Sequence, residues 1–310
     1  MVVKKLINKF SFDKEKDNKN ISSSYNEDYK MQYFKLNNGE KIPALSFGVY
    51  EIKPKLTKEV VLKAFDVGYR SIDTAQVYYN EKEVGDAVKE SELSREDVFI
   101  TTKNWVSNAG YDKTIKAFNK SLENLQTDYL DLFLIHEPFG DYYGSYRALE
   151  DLQKEGKIIS IGVSNFNSAR LLDLVMNNDI TPQLNQVETT PYFQQYEANE
   201  CMKKLNVLHQ AWGPFSEGLN NLFKNPILVK IAEKYSKSTY QIVLRCLMDR
   251  GIAGICSSIK KERMLENMDI FDFKLSKSEI ELIKEIDTGK SPFIDFDSLE
   301  IVKEFNEEIV

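Results

Sequence analysis

GYRSIDTAQVYYNEKEVGD, residues 68–86, is the stretch on which the reading of the fold turns. Gly68 stops the helix before it, and residues 69–72 read as a short buried strand. That strand delivers a carboxylate, Asp73, at its end and a phenol, Tyr78, in the loop beyond, which closes into an acidic helix start at Asn80. An acid and a phenol are costly to place in an apolar core, so they belong at the mouth of a cleft. The layout recurs downstream. Residues 98–102 are strand-like and deliver Lys103, and residues 129–135 end at His136. Asp73, Tyr78, Lys103 and His136 form a proton-handling set without an obvious nucleophile.

Working outward, strand and helix alternate along most of the chain. A hairpin is expected around Asn38-Gly39, then a strand over residues 45–49 and a helix over 57–67 whose Val60, Val61, Ala64, Phe65 and Val67 share one face. Helices over 80–91, 113–125, 145–155, 168–177 and 196–205 precede strands over 98–102, 129–135, 158–163, 183–187 and 207–211. Helices over 226–234 and 239–250, a last strand over 252–256 and a helix over 261–267 complete about eight strand-plus-helix units. Ser276 and Glu279 have the spacing of a capping box, and the tail from Thr288 is apolar enough to dock.

Such alternation suits either a closed parallel barrel or a doubly wound sheet. The second, as a dinucleotide fold, requires G-x-G-x-x-G after its first strand, and no two of the 14 glycines are two residues apart. Gly213 and Gly218 have the spacing of a phosphate loop, but Leu219-Asn220 follows them. The expected fold is α/β, a (β/α)8 TIM barrel with an N-terminal β-hairpin and a C-terminal helical tail. Residues 31–310 form its one domain. Residues 1–30, rich in Lys, Asn, Asp and Ser, are expected to be a disordered extension, with Met31 an alternative start.

Composition excludes several classes. A net charge of −7 argues against nucleic acid, and no apolar run reaches the roughly 20 residues that span a bilayer. Cys201, Cys246 and Cys256 are odd in number, widely spaced and without zinc spacing, which suits free thiols in the cytoplasm and no metal. A monomer or weak dimer is expected.

The segments GYRSIDTAQVYYNE, TTKNW, LDLFLIHEP, IGVSNF, PQLNQVE, HQAWGP and ERMLENMDIFDF, in that order, resemble the aldo-keto reductases from about Met31 to Phe305. The resemblance implies reduction of aldehydes or ketones by a nicotinamide cofactor lying across the barrel. It puts Asp73, Tyr78, Lys103 and His136 at the catalytic positions, with Tyr78 as proton donor. It puts Ser164, Asn165 and Gln186 on the carboxamide and Trp212 against the nicotinamide. Ser258, Arg263, Glu266 and Asn267 fall on the adenosine end, and Ser216 and Ser257 join the phosphate-side loops. Tyr50, Trp105 and Glu137 would line the substrate pocket. An ammonium about 4 Å from a phenol can stabilise the phenolate by roughly 3 pKa units at an effective dielectric of 20, which is the role expected of Lys103.

Taken singly, each residue has a plainer reading. Asp73 can cap a helix, Tyr78 is one of sixteen tyrosines, Lys103 can be a surface charge and Trp212 a core aromatic. His209 has no matched role and reads as packing. Three departures stand out. Ser257 replaces the family's usual lysine at the 2′-phosphate, which leaves Arg263, Lys260 and Lys261; NADPH is expected and NADH stays open. Glu137 stands where tryptophan usually follows the histidine, either as a charge in the pocket or as a solvated loop carboxylate. Tyr79 stands where glycine usually precedes Asn-Glu. Tyr78-x-x-x-Lys82 also spells the short-chain dehydrogenase pair, but the glycine-rich turn that family needs is missing. The rival function is a cofactor-binding, redox-sensing barrel with little turnover.

Overall fold

Strands buried on both faces need a helical layer outside and a partner along each edge, and a closed ring meets both needs. The computed structural model describes residues 31–309; the expected extension over residues 1–30 lies outside them. A hairpin of β1 (Tyr33–Lys35) and β2 (Lys41–Pro43) comes first. The barrel follows: β3 (Leu45–Gly48), α1 (Pro54–Val67), β4 (Ser71–Asp73), α2 (Glu81–Glu90), β5 (Phe99–Asn104), α3 (Tyr111–Leu125), β6 (Leu130–Ile135) and α4 (Tyr142–Lys154). It continues with β7 (Ile158–Ser164), α5 (Ser168–Met176), β8 (Leu184–Glu188), α6 (Tyr196–Lys204), β9 (Leu208–Trp212), α7 (Pro226–Tyr235), α8 (Thr239–Asp249), β10 (Ala253–Cys256) and α9 (Lys261–Met268). Strands β3 to β10 pair in parallel in chain order, and β10 closes the ring on β3. Helices α10 (Lys277–Lys284) and α11 (Leu299–Glu307) form the C-terminal tail.

Local chemistry accounts for where the elements differ from the sequence expectation. Helix α1 starts three residues earlier than residue 57, because Pro54 occupies the first turn, where no N–H is needed. Strand β5 runs through Asn104, so Lys103 lies within the ladder opposite Leu134 rather than beyond its end. In the hairpin, Gly39 N–H donates to Leu36 O at 3.0 Å and Leu36 N–H donates to Glu40 O at 2.8 Å. Gly39, at φ 97, therefore ends a longer loop that starts at Leu36, not a two-residue turn at Asn38-Gly39.

The hairpin plugs the N-terminal end of the barrel. Leu36 and Ile42 pack against the inward-facing Leu132, Leu134 and Leu184. Asn37 Nδ2 donates to Pro182 O at 2.9 Å, and Asn38 Nδ2 donates to Ser160 Oγ at 3.0 Å, tying the turn to the strand ends. The main core fills the space between barrel and helices, where Phe118 of α3 meets Phe133 of β6 edge-on at 5.5 Å. At the opposite end the tail folds back. Phe305 of α11 is 2% exposed, stacks on Phe139 at 4.8 Å and meets Trp105 at 5.8 Å. The Ser276/Glu279 capping box opens α10, with both of its reciprocal hydrogen bonds formed. No helix among the described residues is long and apolar enough to cross a membrane.

Helices α2 and α3 approach closely at Gly85. A Cβ there would lie 2.6 Å from Leu125 O and 2.8 Å from Asn124 O, both backbone atoms. Helix propensity favours Gly85→Ala by about 1 kcal/mol, whereas overpacking costs about 1–3 kcal/mol. Packing should prevail, and the variant should unfold at lower urea concentration than the parent. An unchanged or raised midpoint would show that the two helices can separate freely.

Candidate active site

The strand ends put Asp73 (β4), Lys103 (β5), His136 (after β6), Ser164 (β7), Glu188 (β8) and Trp212 (β9) around one rim. Lys103 is fully buried. Its Nζ donates to Asp73 Oδ1 at 2.5 Å, to Thr74 O at 3.0 Å and to the Tyr78 hydroxyl at 3.5 Å. Burial lowers the lysine pKa, and the Asp73 carboxylate opposes that shift. Tyr78 reaches the ammonium because the loop after β4 forms a single 3-10 turn, Gln76–Tyr78, followed by Tyr79 at φ 57. Its phenol is held well above 10, first by burial and then by the charges of Asp73, Tyr50 and Glu137. Tyr78 therefore rests as the protonated phenol.

His136 completes the group. Its ring lies edge-on to Tyr78 at 5.7 Å and to Trp105 at 5.1 Å. Burial, and then the charge of Lys103, hold it well below its ordinary pKa, so the imidazole is neutral. Trp105 is buried. Its backbone N–H donates to Gln76 Oε1 at 3.0 Å and its indole donates to Glu308 at 3.2 Å. Tyr50, at the rim, lies 5.0 Å from the Tyr78 ring. Glu137 turns inward rather than into solvent, with 7% exposure, and accepts from Asn165 Nδ2 at 3.0 Å.

On the opposite side, amides and an indole interlock. Trp212 Nε1 donates to Asn165 Oδ1 at 2.8 Å, with Asn165 at φ 61. Gln186 Nε2 donates to Asp73 Oδ2 at 2.8 Å and to Gln210 Oε1 at 3.0 Å, so Gln186 also fixes the carboxylate that holds Lys103. Ser164 Oγ donates to Gln186 O at 2.9 Å. Ser216 is buried in the loop after β9, at φ 47, with no partner for its Oγ. Ser257 and Arg263 are exposed around the start of α9, Ser258 and Glu266 are half-buried, and the guanidinium of Arg263 lies 5.8 Å over the Tyr240 ring. Asn267 is buried instead, at 4% exposure. His209 packs in the core between Thr189 at 2.8 Å and Asn199 at 3.0 Å, neutral because burial lowers it to about 3.

This rim, on an eightfold parallel barrel, accompanies a match of residues 44–288 to the family model described as Aldo/keto reductase family. The chain belongs to the aldo/keto reductase family. It is 45% identical over 251 residues to the glyoxal reductase of Bacillus subtilis, covering 80% of this chain and 90% of that one. The fold is similar to MGS-M4, an aldo-keto reductase from a deep-sea metagenome library, with TM-score 0.84 and 42% identity over 86% of this chain and 99% of that one. It is similar also to a Bombyx mori aldo-keto reductase in complex with NADP, with TM-score 0.81 and 34% identity over 86% and 95% of the two chains.

Several residues at this aldo-keto reductase rim escaped the sequence reading. Gln76 seats Trp105, Gln210 supports Gln186, and Glu308 reaches the Trp105 indole from the far end of the chain. Gln76 and Gln210 lie within the segments that carry the family resemblance, yet nothing local singles out any of the three, since each acts through a partner on another element. Glu188 is the fourth. It ends β8 at 3% exposure, accepts from Ser291 Oγ of the tail at 2.5 Å and leaves Oε1 without a partner.

Burial pushes the Glu188 carboxyl from 4.5 up to about 7. The folded chain therefore binds this proton more tightly than the unfolded chain does. Its contribution to stability is greatest below about pH 4.5 and is lost as pH rises through 7, by about 3 kcal/mol. Glu188→Gln should flatten that part of the stability profile and be more stable than the parent above pH 7. Denaturant titrations at stepped pH read this directly, and parallel profiles would contradict it.

Proposed function

We propose that this enzyme reduces the carbonyl group of small aldehydes, dicarbonyls or keto-sugars to an alcohol, with Tyr78 as proton donor and NADPH as preferred reductant. The observation that carries the reading is Lys103 Nζ set between Asp73 and the Tyr78 hydroxyl beside a neutral His136. Carbonyl reduction demands a proton at the oxygen where negative charge develops and a donor to hold that oxygen. His136, neutral through burial, can donate an N–H to it. Tyr78 stays protonated until the alkoxide begins to form, then passes its proton to that oxygen. The Lys103 ammonium, 3.5 Å from the phenol oxygen, stabilises the phenolate left behind, and Asp73 keeps the ammonium charged and aimed. A barrel that only senses cofactor has no need of this buried relay.

The residues present suit a nicotinamide dinucleotide. Trp212 offers a half-buried aromatic plane beside the amides of Asn165 and Gln186, and Ser164 lies next to them. Ser216 has an unsatisfied buried hydroxyl suited to a ligand oxygen. Arg263, with Lys260 and Lys261 at the start of α9, provides cations for a phosphate, and Ser258 and Glu266 flank them. Bound there, the reduced nicotinamide would supply the hydride. A basic cluster gains more from a dianionic 2′-phosphate than from a ribose hydroxyl, which favours NADPH despite Ser257. NADP in the Bombyx mori structure supports the same choice.

Tyr78→Phe should lower kcat by about 10²–10⁴-fold while leaving cofactor affinity, read by fluorescence titration, within about twofold. Equal activity would mean that another group donates the proton. Separately, kcat/KM with NADPH should exceed that with NADH by about tenfold or more, and Arg263→Ala should narrow the gap. A clear NADH preference would reverse the cofactor assignment.

A further inference from the structure

One ionisable side chain in the cleft has no part in the proton transfer just described. Glu137 follows His136 in sequence, yet its carboxyl group doubles back into the cleft instead of pointing along the loop. Oε2 accepts from Asn165 Nδ2 at 3.0 Å, while Oε1 lies 4.0 Å from His136 Nε2 and carries no other protein partner among the described residues. The imidazole that would hold the substrate's carbonyl oxygen thus has a carboxyl oxygen beside it, available to a second polar atom. An aliphatic side chain at this position would offer none.

We propose that Glu137 is the specificity-determining residue of this pocket and that it recognises a second oxygen on the carbon next to the reacting carbonyl, as in 1,2-dicarbonyls. This deepens the carbonyl-reductase reading and rests on it. A polar group with an open hydrogen-bonding position discriminates against the analogue that lacks the matching atom, because the buried group is then left unpaired. A second carbonyl requires a donor, so the protonated carboxyl is the competent form. Burial pushes Glu137 well above the ordinary carboxylate range, while Asn165 and the Lys103 charge hold it back. The titratable groups facing it are Lys103, His136 and Tyr78, with Glu308 behind Trp105. As pH rises and Glu137 ionises, the donor is lost and a carboxylate faces the second carbonyl oxygen. Recognition should fall.

Methylglyoxal and propanal share a three-carbon skeleton and differ by the oxygen on the second carbon. Comparing their kcat/KM ratio between variants cancels the intrinsic reactivity of the two aldehydes. Glu137→Leu should reduce that ratio at least tenfold, mainly through KM for methylglyoxal. Glu137→Gln retains a donor of the same shape, so it should keep most of the ratio and abolish its decline with pH. An unchanged ratio in Glu137→Leu, with propanal still reduced, overturns the proposal alone. So does a variant whose only defect is weaker cofactor binding, which would mean that Glu137 serves Asn165. Absence of turnover by the parent enzyme on every carbonyl tried, with either cofactor, would overturn the functional reading and the proposal together.

Discussion

The ion pair between Lys103 and Asp73 is the constraint on which the site depends. Removing an ammonium and a carboxylate from water costs several kcal/mol per ion, and mutual attraction offsets this only when further hydrogen bonds satisfy both groups. The barrel provides those bonds from three directions. Thr74 O accepts a hydrogen bond from the ammonium, Gln186 Nε2 donates to the other carboxylate oxygen, and Gln210 in turn orients Gln186. One consequence is geometric: an ammonium so fully bonded cannot leave, and it stands beside the phenol of Tyr78. The protein accepts an expensive buried charge and gains a fixed one.

A second consequence concerns protonation. Burial disfavours the phenolate of Tyr78, and the nearby Asp73 carboxylate adds to the effect. His136 is neutral for the opposite reason, since burial disfavours its cation and Lys103 repels it. In the resting cleft the phenol and imidazole are both neutral. Such a pair can donate to a carbonyl oxygen from two sides, which is what the proposed reduction asks of it.

The ends of the chain secure the two ends of the barrel. The hairpin's Asn37 and Asn38 bond the strand starts at the bottom, while Ser291, Phe305 and Glu308 of the tail engage Glu188, Phe139 and Trp105 at the top. A barrel strand that ends in a polar side chain leaves that group half in solvent. Covering it with tail residues lowers the local dielectric and strengthens each interaction beneath. The chain from Thr288 onward is therefore part of the cleft as well as a continuation of the fold.

Residue order and period were enough to define the architecture. Alternating apolar runs and helical stripes, eight times over, with no glycine-rich dinucleotide turn, leave a closed parallel barrel, and Asp73, Lys103 and His136 announce themselves because polar residues at the ends of apolar strands are rarely incidental. Those features are local, and local patterns survive in a linear string. Orientation and protonation are not local. That Gln186 points at Asp73, that Asn267 turns into the core, that Glu137 folds inward onto Asn165 and that Tyr78 is pushed up rather than down were decided only when elements distant in sequence met. Burial and charge depend on everything within a few ångströms, and the sequence does not record which residues those are.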